Sequence, residues 1–161
     1  MRTHATQLRL PRGFTFVELV MVVATVALVA AIAVPRMTNA SQRYKADLAA
    51  RRIAGDIELA RQEAAASSSP RTVIFDAAAL TYTIQGSAGL NGEVTGYKAS
   101  LKQAPYEATT IRVKFAAVPP PTVLTYDGFG KPNAGASIII TAGGQSKTIS
   151  VDPNTGRATI R

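Results

Sequence analysis

FTFVELVMVVATVALVAAIAV, residues 14–34, is an apolar block with a single charged member, Glu18. Read as an α-helix at ~1.5 Å per residue it spans about 31 Å, the hydrocarbon thickness of a bilayer. Arg2, Arg9 and Arg12 precede it, and no acidic residue stands among positions 1–13. By the positive-inside rule the N-terminus then stays in the cytoplasm and everything beyond Pro35 faces outward. A carboxylate inside an apolar span costs roughly 2.5–3.5 kcal/mol at the bilayer centre and less near its edge, so Glu18 needs a cation. None follows within a helical turn, and Arg12 lies well before it.

Three readings of the block compete. A secretory signal peptide would have a charged start, an apolar region of roughly 7–15 residues and a small-residue cleavage site. Ala31-Ile32-Ala33 offers such a site, but the block is longer and carries an acid near its start. An ordinary signal anchor explains the length and the arginines and leaves Glu18 without a role. Cleavage after Gly13 would instead place a new α-amine, on Phe14, at the membrane depth of Glu18 in a neighbouring copy.

The string Arg12-Gly13-Phe14-Thr15-Phe16-Val17-Glu18-Leu19 resembles the class III signal of type IV pilin precursors, with a basic leader, Gly before the cut, Phe after it and then Glu. The resemblance implies that a prepilin peptidase cuts between Gly13 and Phe14 and methylates the Phe14 amine. It also implies that Glu18 pairs with that amine on an adjoining subunit, setting axial register, and that Pro35 falls where pilins commonly carry a helix-kinking proline. On this reading residues 1–13 are a cytoplasmic leader. Residues 14–34 are the transmembrane half of a long helix, an anchor in the bacterial inner membrane before assembly and part of a filament core afterwards.

Residues 35–69 read as the amphipathic outer half of the same helix. The stretch is rich in Ala, Arg, Glu and Gln, and Ile53, Ile57, Ala60 and Ala64 form an i, i+4, i+7, i+11 stripe, with Tyr44 and Leu48 one turn apart upstream. Ser67-Ser68-Ser69 before Pro70 ends it. Residues 70–161 read as β-rich, with short strands at 72–75, 80–85, 110–115, 123–126, 137–142, 147–151 and 157–161. Ile111, Val113 and Phe115 alternate with Arg112 and Lys114, which puts one face in a core and one in water. Gly143-Gly144 suits a tight hairpin, and residues 86–109 and Pro119-Pro120-Pro121 read as loops. Helix first and antiparallel sheet after is an α+β arrangement. It agrees with the pilin-like fold, a long kinked N-terminal helix packed on a C-terminal antiparallel β-sheet domain.

Composition narrows the chemistry. With 161 residues the chain holds one ordinary domain plus an anchor, and with no cysteine it has neither disulfides nor thiolate chemistry. Its only histidine, His4, lies in the leader. Asp56 and Glu58, two apart on a helix, do not face each other, so paired acid/base work has no support. Nothing resembles a phosphate loop, and Asp152-Pro153-Asn154-Thr155-Gly156 reads as a turn rather than a calcium loop. The expectation is therefore a chain that is not an enzyme and uses no cofactor or metal. The net charge is +8, of which three units belong to the leader arginines.

The run Leu124-Thr125-Tyr126-Asp127-Gly128-Phe129-Gly130-Lys131-Pro132, the strand Ile138-Ile139-Ile140-Thr141, Ile149-Ser150-Val151 and Thr155-Gly156-Arg157 are together similar to the carboxy-terminal half of the GspH/FimT family of minor pilins and pseudopilins. That likeness implies a minor structural subunit of a type II secretion pseudopilus or type IV pilus, whose partners are other pilins, the prepilin peptidase and the inner membrane. The FimT branch acts in DNA uptake through basic C-terminal residues, usually Gly-Arg with a second Arg two residues on. Here Arg157 and Arg161 are the corresponding candidates, sharing a strand face about 13 Å apart at ~3.3 Å per residue. A DNA-binding minor pilin of competence and an unassembled signal-anchored envelope protein are the alternative expectations.

Overall fold

A computed structural model describes residues 13–87, 96–118 and 122–161. Arg2, Arg9 and Arg12, His4, part of the 86–109 loop expectation and the triple proline lie outside the described residues. The chain divides into two compact units, residues 1–38 and 39–161.

In the first unit the described chain is the start of helix α1 (Phe16–Ser67), which continues through Pro35 without a break in helical backbone. No residue of its Phe16–Ala33 window is buried, and by length and composition the window is apolar enough to cross a membrane.

In the second unit α1 turns one face into the core. Ala46, Ala49, Ala50, Ile53, Ile57, Ala60 and Ala64 are all buried, at 1% exposure or less. The expected stripe from Ile53 to Ala64 holds, but its upstream extension differs: Tyr44 is 65% exposed, and the buried positions there are alanines. The 3.6-residue repeat carried back from Ile53 meets Ala50, Ala49 and Ala46, whose side chains fill that part of the buried face. The helix stops at the serines, as expected. Ser68 takes φ 47° and the Ser69 amide donates to the Ala64 carbonyl at 3.2 Å, a Schellman-type ending.

The remainder is antiparallel, as expected, and is divided between two sheets. The first holds β1 (Arg71–Asp76), β2 (Thr81–Gln85), β3 (Tyr97–Ser100) and β5 (Leu124–Tyr126) in the order β3-β2-β1-β5. The second holds β4 (Ala108–Phe115), β6 (Ala136–Ala142), β7 (Gln145–Val151) and β8 (Ala158–Ile160) in the order β4-β6-β7-β8. The region read as one loop from 86 to 109 thus contains β3, which pairs with β2 from Ile84↔Tyr97 to Thr81↔Ser100. Helix and both sheets share one core, in which Val73, Tyr82, Ile84, Leu124, Tyr126, Ile138, Ile140 and Ile149 are almost completely enclosed. The β6–β7 hairpin pairs Ala142 with Gln145 across Gly143 (φ 56°) and Gly144 (φ 77°), the two left-handed positions of a type I′ turn.

Candidate functional site

Gly13, Phe14 and Thr15 lie just ahead of α1, with Phe14 83% exposed. Thr15 caps the helix. Its hydroxyl accepts from the Glu18 amide at 3.2 Å, and its carbonyl accepts from the Leu19 amide at 3.1 Å. Thr15-Phe16-Val17-Glu18 is thus a T-x-x-E capping sequence, a signal that the hydropathy of the block overshadows in a linear reading. It places the Glu18 carboxylate in the first turn, at the positive end of the helix dipole. Among the described residues Glu18 has no salt-bridge partner within the chain.

A second polar centre joins α1 to the first sheet. Asp56 stands on the buried face between Ile53 and Ile57. Its Oδ2 accepts from the Tyr82 hydroxyl, from the Tyr97 hydroxyl at 2.8 Å and from Arg52 Nε at 3.1 Å. Arg52 also donates to the Tyr97 hydroxyl and lies over the Tyr97 ring, 5.7 Å from its centroid. Burial, then the neighbouring carboxylate, pushes both tyrosine hydroxyls to higher pKa. Burial works against the Arg52 charge, but its hydrogen bond to Tyr97 and the charge of Asp56 outweigh that effect and hold it protonated. The expectation that Asp56 and Glu58 act apart is met, for Glu58 turns instead to Arg61 at 2.5 Å. What sequence reading missed is the job of Asp56, although a lone carboxylate on an apolar stripe was the available sign.

Other ion pairs sit nearer solvent. Lys45 meets Glu107 at 2.6 Å, and Asp47 meets Arg51 at 2.6 Å with Lys147 further off at 3.8 Å. Three carboxyls are held below their ordinary values: Asp47 chiefly by its hydrogen bond from Arg51, Glu58 by that from Arg61, and Asp152 by the amides of Thr155 and Asn154. A depressed carboxyl stabilises the fold above its ordinary value, and the effect disappears as pH falls through the lowered one. Unfolding midpoints are therefore expected to be level from neutral pH to about 5 and to fall below about 4, as a urea titration at stepped pH would show.

At the C-terminus Asp152 opens a tight turn, accepting from the amides of Asn154 (2.9 Å) and Thr155 (2.7 Å) and from the Thr155 hydroxyl (3.0 Å). The turn closes at Gly156, whose φ of 70° suits glycine and where a Cβ would lie 2.8 Å from the Gly130 carbonyl oxygen. Strand β8 comes next. Arg157, Thr159 and Arg161 are exposed, while Ala158 and Ile160 pack toward the core, so the two arginines share a face as expected. Neither forms a salt bridge among the described residues. They line an open groove of about 530 Å³ with Ser150, Pro153 and Thr155.

The family described as type II transport protein GspH matches residues 49–155. No curated protein matches the chain. Among solved structures, the minor pseudopilin EpsH from the type 2 secretion system of Vibrio cholerae is similar at a TM-score of 0.52 and 15% identity, over 73% of this chain and 96% of that one. The type IV minor pilin FimU of Pseudomonas aeruginosa is similar at 0.51 and 17% identity, over 75% of this chain and 91% of that one. At such identities the common property is the fold.

Proposed function

Because the chain belongs to the GspH family of type II transport proteins, we propose that it is a minor structural subunit of a secretion pseudopilus or type IV pilus, made as a precursor and assembled through α1. The observation that carries this reading is the wholly uncovered Phe16–Ala33 span with one carboxylate in its first turn. Such a surface is served first by lipid and then by the helices of other subunits, and its acid by a cation from one of them.

In this reading a prepilin peptidase removes residues 1–13 and methylates Phe14. Gly13 offers no side chain at the cut, and among the described residues nothing lies within 4 Å of the place its Cβ would take. The new amine, at the head of the helix, meets Glu18 of the next subunit. Pro35 supplies no amide to the helical ladder and loosens it just beyond the span. The domain of residues 39–161 stays outside the inner membrane and contacts neighbouring pilins. The role is one of assembly, without a reaction to catalyse.

Mass spectrometry of the native N-terminus tests the processing. The expected species begins at methylated Phe14, and Gly13→Ala is expected to accumulate uncut precursor. A native chain beginning at Met1, or at Val34 after ordinary signal peptidase action, would contradict the filament reading.

A further inference from the structure

Strand β8 is the outer strand of its sheet and pairs only with β7 among the described residues. The pairing fixes which of its backbone groups are spent. Arg161 and Thr148 exchange both of their hydrogen bonds (2.8 and 3.2 Å), and the Asp152 amide donates to the Arg157 carbonyl at 3.0 Å. In an antiparallel ladder such exchanging positions alternate with positions that face away. Arg157, Thr159 and Arg161 therefore point their amides and carbonyls at β7. Ala158 and Ile160, opposite Val151 and Ile149, point theirs outward at the open edge.

We propose that this edge accepts an extended segment of another pilin subunit by strand addition, and that the segment carries carboxylates at alternate positions facing Arg157 and Arg161. Two features choose this occupant. The edge offers amide donors and carbonyl acceptors in alternation, which a second polypeptide strand matches group for group. A nucleic-acid backbone brings acceptors only and would leave the outward carbonyls of Ala158 and Ile160 facing phosphate oxygens. The second feature is charge: the side chains of an added strand stand beside those of β8 with the same period of two, so acids on it meet the two guanidinium groups across ~4.8 Å of strand spacing. The carboxylate nearest by sequence, Asp152, is already committed to its turn.

A strand as short as β8 gives modest affinity in free solution. Subunits anchored in one membrane or one filament meet at high effective concentration, where modest affinity suffices. The source of the strand rests on the proposed filament role; peptide binding does not, so a failure to bind with normal N-terminal processing removes this inference alone.

The probe is a short fluorescent peptide alternating glutamate with valine, titrated into the full chain in detergent and followed by anisotropy. Saturable binding is expected. It should weaken by about tenfold or more with Arg157→Glu plus Arg161→Glu, and by a similar factor with Ala158→Pro, which removes an outward amide without touching the β7–β8 ladder. N-methylation of the peptide at alternate amides, on the side facing the edge, should abolish binding to the unaltered chain. That arm holds even if Ala158→Pro fails to fold. Undiminished binding of the N-methylated peptide, or arginine-dependent binding of oligothymidylate in place of the peptide, would overturn the proposal.

Discussion

Glu18→Ala is expected to leave the chain cleaved, stable and membrane-bound while its incorporation into filaments falls below detection. The proposed cut site lies before Glu18, so a prepilin peptidase would still meet Gly13 and Phe14. The loss falls on assembly. In the apolar centre of a filament the Phe14 amine would have no carboxylate opposite it, and breaking one side of a buried ion pair costs roughly 3–5 kcal/mol, enough to exclude a subunit competing with intact ones. Glu18 also stands third in the cap of α1, where Thr15 already satisfies its amide at 3.2 Å. Glu18→Gln separates the two roles, because glutamine retains capping geometry and lacks the charge. Quantifying sheared filament fractions against membrane fractions reads the result. Failure of both variants supports the ion pair; normal incorporation of Glu18→Gln assigns the residue to capping, and normal incorporation of Glu18→Ala removes any assembly role.

Asp56→Ala should lower folding stability by about 2–5 kcal/mol, a large part of the ~5–15 kcal/mol that holds a domain of this size. One carboxylate oxygen serves Tyr82, Tyr97 and Arg52, and Tyr82 is 1% exposed with no water to turn to. Alanine leaves two buried hydroxyls without their acceptor, while Arg52 keeps the Tyr97 hydroxyl and its contact with solvent. Tyr82→Phe deletes one donor and leaves the remainder paired, so its effect should be near ~1 kcal/mol. Urea unfolding followed by circular dichroism compares the two, and an Asp56→Ala loss no larger than that of Tyr82→Phe would dismiss the shared-acceptor arrangement. The consequence for function is positional. Asp56 ties α1 to β2 and β3, and a subunit whose helix shifts against its own sheet presents a different surface to its neighbours.

Much of this is legible in the sequence. The apolar segment, the arginines before it and the acid inside it are contiguous, and contiguity is what a linear reading detects. The helix stripe from Ile53 to Ala64 and the alternation Ile111-Arg112-Val113-Lys114-Phe115 are likewise local periods, and the structure buries and exposes them accordingly. Strand β3 escaped because Tyr97-Lys98-Ala99-Ser100 is too short for its alternation to stand out from a loop. It is a strand because β2 offers it an edge. Tyr44 misled for a related reason: a large aromatic one turn from Leu48 looks like core, whereas the residues buried at that level are Ala46, Ala49 and Ala50.

The sequence by itself determined that there is an apolar segment long enough to span a membrane with one acid in it, a helix that carries on beyond it, and an antiparallel β region with two arginines on one face of its last strand. These are short-range properties, set by hydropathy, charge and side-chain period within a few residues. Tertiary structure alone decided that the strands divide between two sheets, that Asp56 becomes the common acceptor of residues 26 and 41 positions away, and that β8 pairs only with β7 among the described residues. Each of those depends on which distant segments pair and in what register, and the free energy of such pairing resides in the contact itself, not in either segment alone.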